Sequence, residues 1–216
     1  MARIDLAWHE DVTLKNGKRV RLRLVRASDR ELLRRGFERL SPESRYLRFF
    51  TEKTSLTERE LTYLTDVDQQ NHVAIGAVLI DEHGNEGEGV AVARLIRLPD
   101  RAEVAEAAVA VTDDLHGQGL GHVLLERLVE AGLERGIRRV RTEFLEGNQA
   151  MRDLAENLGE LVHIEKDSGV MSMEVELAAN HGAQAARLLR LLKLAAQGLI
   201  VVVLSPLLRA IGRRDE

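Results

Sequence analysis

Apolar residues in this chain follow two rhythms that take turns along its length, every second position in some stretches and every third or fourth in others. Residues 12–14 and 18–24 alternate around Asn16-Gly17, a pair that predicts two strands joined by a two-residue hairpin turn. Ser28-Asp29-Arg30-Glu31 has the form of a capping box and predicts a helix to about residue 40. Ser41-Pro42 opens a short helical segment, and Thr57-Glu58-Arg59-Glu60 is a further capping box ahead of Leu61 and Leu64. Strands are predicted at 72–80, 90–98 and 103–111, with turns at Gly84-Asn85 and Pro99-Asp100-Arg101. Leu120, Val123, Leu124 and Leu128 mark one face of a helix, after which 138–145 alternates as a strand. Gly147-Asn148 breaks that strand and begins a helix to about residue 158. Two last strands, 161–165 and 170–177, are joined by Asp167-Ser168-Gly169. Hairpin, helices, three strands, helix, strand, helix and two strands make an α/β order.

The junction between the third of those middle strands and its helix carries the chemistry. Val111-Thr112-Asp113-Asp114-Leu115-His116-Gly117-Gln118-Gly119-Leu120-Gly121 places three glycines at alternate positions just before an amphipathic helix. Glycine lets the backbone approach a ligand without a Cβ in the way, and a helix start presents unpaired N–H groups and the positive end of its dipole. Such a turn cradles phosphate. It is not a P-loop, because His122-Val123 stands where Lys-Ser/Thr is needed, nor a G-x-G-x-x-G fingerprint, because His122 occupies the third glycine position.

His116-Gly117-Gln118-Gly119-Leu120-Gly121 resembles the Q/R-x-x-G-x-G/A signature of the GNAT N-acetyltransferase superfamily, with His116 in place of the usual Gln or Arg. The element order over about residues 10–178 resembles that of a GNAT domain too, so the expected fold is a mixed, mostly antiparallel sheet with flanking helices. The resemblance implies acetyl-CoA as co-substrate. Its pyrophosphate would lie on the loop (His116, Gly117, Gln118, Gly119, Leu120 and Gly121), and its pantetheine amides would meet the backbone of Val109 and Val111. Asn148 caps a helix or contacts the cofactor arm. Many members carry a proton-donating tyrosine where Ala155 stands, and neither Tyr46 nor Tyr63 lies near it in sequence. Alanine there, and the phrase Leu40-Ser41-Pro42-Glu43-Ser44-Arg45-Tyr46-Leu47-Arg48-Phe49-Phe50, are similar to the catalytic domain of bacterial protein lysine acetyltransferases. Arg45, Tyr46, Arg48, Phe49 and Phe50 either line the acceptor pocket or pack the short helices onto the sheet.

Acetyl transfer to an amine needs the neutral amine, and a lysine of pKa about 10.4 is neutral in only about one part in a few thousand at pH 7. A general base is therefore worth a large factor. Strand periodicity puts Glu106 on one face with Val104, Ala108 and Ala110, where small apolar neighbours leave room for a substrate and should raise a carboxylate's pKa. The resemblance points the same way, through the pair Ala105-Glu106. The alternative is that Glu106 faces solvent or pairs with a neighbour such as Arg94. Glu103, on the opposite face, is expected to be solvated. His116 reaches a phosphate or fills a polar junction, and His72 and His163 are expected to be structural, with no metal site.

Composition removes other classes. The chain has 216 residues, a net charge of −4 and 3% aromatics, which fits one domain with an aliphatic core and argues against a nucleic-acid partner. With no cysteine there are no disulfides, zinc–cysteine sites or thiol nucleophile, so direct transfer is favoured over an acyl-enzyme route. Mixed charges over the first ten residues give no signal stretch, and a cytoplasmic protein is expected. Beyond the domain, residues 179–216 form an apolar and basic extension whose run 194–208 is free of charge. As a helix that run would span only about 22 Å against a roughly 30 Å hydrocarbon core. It therefore packs on the domain, meets a second subunit, or lies at a membrane surface. The expected function is an acetyltransferase from acetyl-CoA to a primary amine, foremost a protein lysine. A small-molecule amine acceptor or a silent acetyl-CoA-binding module is the alternative.

Overall fold

The computed structural model describes residues 3–42, 44–45, 52–145, 161–167 and 170–177. Among these residues eight strands form one sheet: β1 (His9–Thr13), β2 (Arg19–Leu24), β3 (His72–Ile80), β4 (Glu86–Leu98), β5 (Arg101–Val111), β6 (Arg139–Leu145), β7 (Leu161–Asp167) and β8 (Val170–Glu176), in the order β1-β2-β3-β4-β5-β6-β8-β7. All neighbours are antiparallel except β5 and β6, whose parallel contact needs the crossover helix α3 (Leu120–Glu134) between them. Helices α1 (Arg30–Glu38) and α2 (Glu58–Thr65) precede β3. The mixed α/β sheet is the architecture that the two rhythms predict.

Register assigns the faces, since residues opposite each other on paired strands project to the same side. Val73, Leu95 and Ala107 share a row, as do Ile75, Ala93 and Val109, and all are buried. This face packs against α3, whose Leu124, Leu125 and Leu128 are at most 1% exposed. Gly132 brings the helix so close that a Cβ there would stand 2.7 Å from Leu95 Cδ1. The other face carries Ala74, Gly76, Arg94, Glu106, Ala108 and Ala110 beneath α1 and α2. There α1 crosses β4 at Gly89, where an added Cβ would lie 3.3 Å from the Leu32 carbonyl oxygen.

Several expectations change in detail. The first hairpin is closed by the three residues Lys15-Asn16-Gly17, not two: Leu14 N–H donates to Lys18 O at 2.8 Å and Gly17, at φ +82°, donates to Leu14 O at 2.9 Å. The glycine supplies the left-handed residue of a bulged turn. The box at Ser28 does not form. A 3-10 turn (Ala27–Asp29) precedes α1, and Asp29 accepts from Arg26 N–H at 2.8 Å. The Thr57 box does form, with Glu60 N–H donating to Thr57 Oγ1 at 3.3 Å and Thr57 N–H to Glu60 Oε2 at 2.8 Å. Strand β4 starts at Glu86 and β5 at Arg101, earlier than expected. The helix expected at 148–158, with Asn148 and Ala155, and the apolar extension at 179–216 lie outside the described residues.

Candidate active site

Strand β5 delivers the chain to the glycine loop with one edge open. Its pairing with β6 covers only Val104↔Arg139, Ala105↔Val140 and Glu106↔Arg141, so beyond Glu106 the two strands part. On its other edge β5 stays paired with β4 as far as Ala91↔Val111. Thr112 N–H donates to Val90 O at 2.9 Å. In an antiparallel ladder the bonded pairs alternate, so Ala108 and Ala110 bond to β4 while Val109 and Val111 turn their backbone groups into the cleft between β5 and β6. An extended chain bearing amides can be held along that edge.

The loop continues this edge. A 3-10 turn (Asp113–Leu115) buries Leu115, after which Gly117 and Gly119 take φ of +73° and +91°. A left-handed backbone at both positions favours glycine, and an added Cβ on either would meet nothing within 4 Å, so the space above the turn is open. Helix α3 begins at Leu120. Among the described residues no acceptor is paired with the N–H groups of Gly117, Gly119, Leu120 or Gly121, whereas His122 and Val123 donate to Gly119 O. Four amides at a dipole's positive end fit a pyrophosphate. His116 does not join them: its Nε2 donates to Val111 O at 2.9 Å, laying the ring over the end of β5. Gln118 Nε2 reaches only His116 O, at 3.4 Å.

Two acids that pattern reading passed over anchor the loop from behind. Asp113 accepts from Ser41 N–H at 2.8 Å and from Ser44 Oγ at 2.7 Å, and Asp114 accepts from Arg39 Nη2 at 2.9 Å. Burial alone would raise the Asp113 carboxyl, but the hydrogen bonds from Ser44 and Ser41 hold it below the usual range. Arg45 is structural as well. Its guanidinium lies 4.8 Å over the Phe37 ring and donates to Glu38 O at 2.7 Å. Tyr46, Arg48, Phe49 and Phe50 lie outside the described residues.

Glu106 sits where β5 and β6 part, on the face beneath α2, and is 3% exposed, so it does not point to solvent. Its surroundings are more polar than alternation suggests. Arg94 of β4, opposite Ala108, is 1% exposed and shares the face. Arg94 Nη1 lies 3.1 Å from His72 Nε2, and burial together with Arg94 lowers the His72 pKa to about 3, so the imidazole is the acceptor in that contact. Tyr63 of α2 packs on His72, ring centroids 5.2 Å apart. Burial raises its phenol pKa, with the Glu106 carboxylate adding to the rise and Arg94 opposing it. The tyrosine that is remote from Ala155 in sequence thus stands on the face of Glu106. Glu103 is exposed. Among the described residues no three metal-ligating side chains converge. Beside Arg94 a largely apolar cavity opens under α1 and α2, lined by Leu33, Phe37, Leu64, Val92 and Ala110.

Comparison with known proteins agrees with this geometry. The profile of the acetyltransferase (GNAT) family matches residues 30–159. An acetyltransferase of Pseudomonas aeruginosa is 35% identical over 152 residues, covering 70% of this chain and 79% of that protein. Acetyltransferase Pat of Mycolicibacterium smegmatis is 32% identical over 166 residues, 77% of this chain, which spans about half (48%) of that relative's length. The crystal structure of the GNAT domain of S. lividans PAT superimposes with a TM-score of 0.66 at 29% identity, over 80% of this chain and 98% of that domain.

Proposed function

The chain belongs to the acetyltransferase (GNAT) family, and from that premise we propose that it transfers the acetyl group of acetyl-CoA to the side-chain amine of a protein lysine, with Glu106 as general base. The family's co-substrate is acetyl-CoA, and the open left-handed turn with its four amides fits the phosphates of that molecule. Gly117, Gly119, Leu120 and Gly121 would hold the pyrophosphate, and the backbone edge of Val109 and Val111 the pantetheine amides. His116 would support the site by fixing the end of β5. The likeness to Pat and to the GNAT domain of S. lividans PAT is what favours a protein lysine as acceptor.

Acetyl-CoA supplies a thioester carbonyl carbon activated toward nucleophiles. The amine nitrogen bonds to that carbon, its proton passes to the Glu106 carboxylate directly or through water, and the carbon–sulfur bond breaks to release the CoA thiolate. The observation that carries the assignment is the position of Glu106, a buried carboxylate at the point where the two strands part. A proton acceptor there lies at the inner end of an edge that leads to the phosphate loop. With no cysteine in the chain, the amine attacks the thioester itself.

Release of CoA thiol from acetyl-CoA, measured on a panel of protein and small amine acceptors, tests this. We expect acceptor-dependent release that Glu106→Gln lowers about 10²- to 10⁴-fold in kcat while acetyl-CoA still binds. Release confined to small amines would move the acceptor class. Binding without release on any acceptor would make the protein an acetyl-CoA-binding module.

A further inference from the structure

The rung at which β5 and β6 part pairs two opposite charges. Glu106 stands across from Arg141, the last of three pairs before the cleft opens. Residues opposite each other on adjacent strands lie about 4.8 Å apart and project to one face, so Arg141 and Glu106 leave their strands side by side on the same face. On its other side Arg141 stands across from Glu174 of β8. Glu174 is 3% exposed and already gripped by a guanidinium fork: Arg101 Nη2 donates to its Oε2 at 2.8 Å and Nη1 to its Oε1. The row across three strands therefore alternates carboxylate, guanidinium, carboxylate, with Arg101 closing the far end.

We propose that Arg141 is a positioning residue for the transfer, holding Glu106 ionised and aimed into the cleft. This rests on Glu106 being the base. Burial by itself pushes a carboxyl toward its neutral form, which cannot accept a proton, whereas a guanidinium within about 4–6 Å lowers a carboxyl's pKa by roughly 1–3 units. Arginine suits the task because it stays charged at any working pH and its planar fork fixes the orientation of a carboxylate. Among the described residues, the other charged or titratable groups facing Glu106 are Arg94 of β4, His72 of β3, Tyr63 of α2, the Arg101–Glu174 pair of β5 and β8, and Arg139 of β6, which stands one rung back between Val104 and Glu176. Arg94 lies on the diagonal, opposite Ala108, and donates to the neutral His72. Tyr63 is an uncharged phenol at neutral pH, and Arg101 and Glu174 cancel. Arg94 and Arg139 are diagonal to the base, and Arg141 is the cation directly opposite it in the register.

The pH profile separates this role from a structural one. With the full chain and its acceptor, log(kcat/KM) should climb with pH at a slope of about one, set by the acceptor amine, and steepen toward about two below the pKa of Glu106. Arg141→Gln should move that break upward by at least about one pH unit, with the rate recovering at high pH, and Arg141→Lys should restore it because the charge returns. A break in Arg141→Gln that coincides with the wild-type one overturns the proposal. If Glu106→Gln keeps full activity, it is the assignment of the base that fails, a distinguishable result. Urea unfolding without acetyl-CoA gives a second readout: losses in Glu106→Gln and Arg141→Gln should be strongly non-additive, because the double variant strands neither charge. Should Arg141→Gln not fold, the double variant is expected to fold. Additive losses, or a double variant that also fails, would count against the pair.

Discussion

At the scale of single residues, the site's character comes from neighbours that chain order does not reveal. Alternation puts Glu106 on a face with Ala108 and Ala110, and that much is correct. Arg94, a neighbour that the sequence already suggests, shares that face through the register of β4, whereas Arg141 and Tyr63 join it only through the register of β6 and the docking of α2. Register is a property of pairs of strands, and no period within one strand encodes it. His72 has a measurable consequence of the same kind. Its folded pKa is lowered to about 3 from 6.5, first by burial and then by Arg94. A histidine held neutral contributes stability that is present above its unfolded pKa. That contribution is lost as pH falls from 6.5 toward 3, because the unfolded chain then binds the extra proton. The slope approaches about 1.4 kcal/mol per pH unit. His72→Gln keeps an acceptor for Arg94 and removes the titration. Urea unfolding midpoints between neutral pH and pH 4 should show the variant losing about 2–3 kcal/mol less than wild type. Parallel curves would mean that His72 is not held neutral.

At the scale of elements, the two capping boxes of identical form have different fates, and a buried charge explains why. Thr57 and Glu60 cap α2 as their spacing predicts. Ser28 does not cap α1, because the adjacent Asp29 is drawn inward to Arg23, a guanidinium 4% exposed whose Nη1 and Nη2 donate to the Asp29 oxygens at 2.7 and 2.9 Å. Satisfying a buried cation outweighs a cap worth about 1 kcal/mol. Asp29→Ala leaves Arg23 with Glu86 alone, whose carboxylate accepts from its Nε at 2.9 Å, and should cost about 2–3 kcal/mol, beyond the loss of a cap; chemical denaturation would show it. A loss near 1 kcal/mol would mean that the pair is relieved by water. The left-handed turn of the glycine loop, by contrast, is legible in the sequence, because its demand is local. Gly119, at φ +91°, is the N-cap of α3. Gly119→Ala should cost about 1–2 kcal/mol of stability and raise KM for acetyl-CoA more than it lowers kcat. Equal loss in both parameters would place Gly119 in the chemistry instead of in binding.

At the scale of the molecule, the single sheet consists of two antiparallel halves joined at one short parallel ladder. Strands β1 to β5 form an antiparallel half, and β6, β8 and β7 form another, joined by three paired residues and by bonds such as Arg138 N–H to Glu103 O at 2.7 Å. Chain order predicts the elements of each half. It leaves open that β8 stands between β6 and β7 and that β5 and β6 part after Glu106, since both are choices of partner. The parting leaves the backbone of Val109 and Val111 without strand partners in the cleft, and such groups exchange with solvent readily. A ligand lying along that edge and on the loop would link the two halves. Acetyl-CoA at about 100 times its dissociation constant should add about 2.7 kcal/mol of stability, which for a domain of this size raises Tm by roughly 5–10 °C. Hydrogen exchange should locate the effect. Protection is expected at the amides of Val109, Val111, Gly117, Gly119, Leu120 and Gly121, with the β1–β2 hairpin unchanged. Protection of the loop without Val109 and Val111 would leave the phosphate cradle in place and remove the pantetheine from the cleft. Glu106, at the inner end of that cleft, would then have no thioester to serve, and the assignment of the base would fall with it.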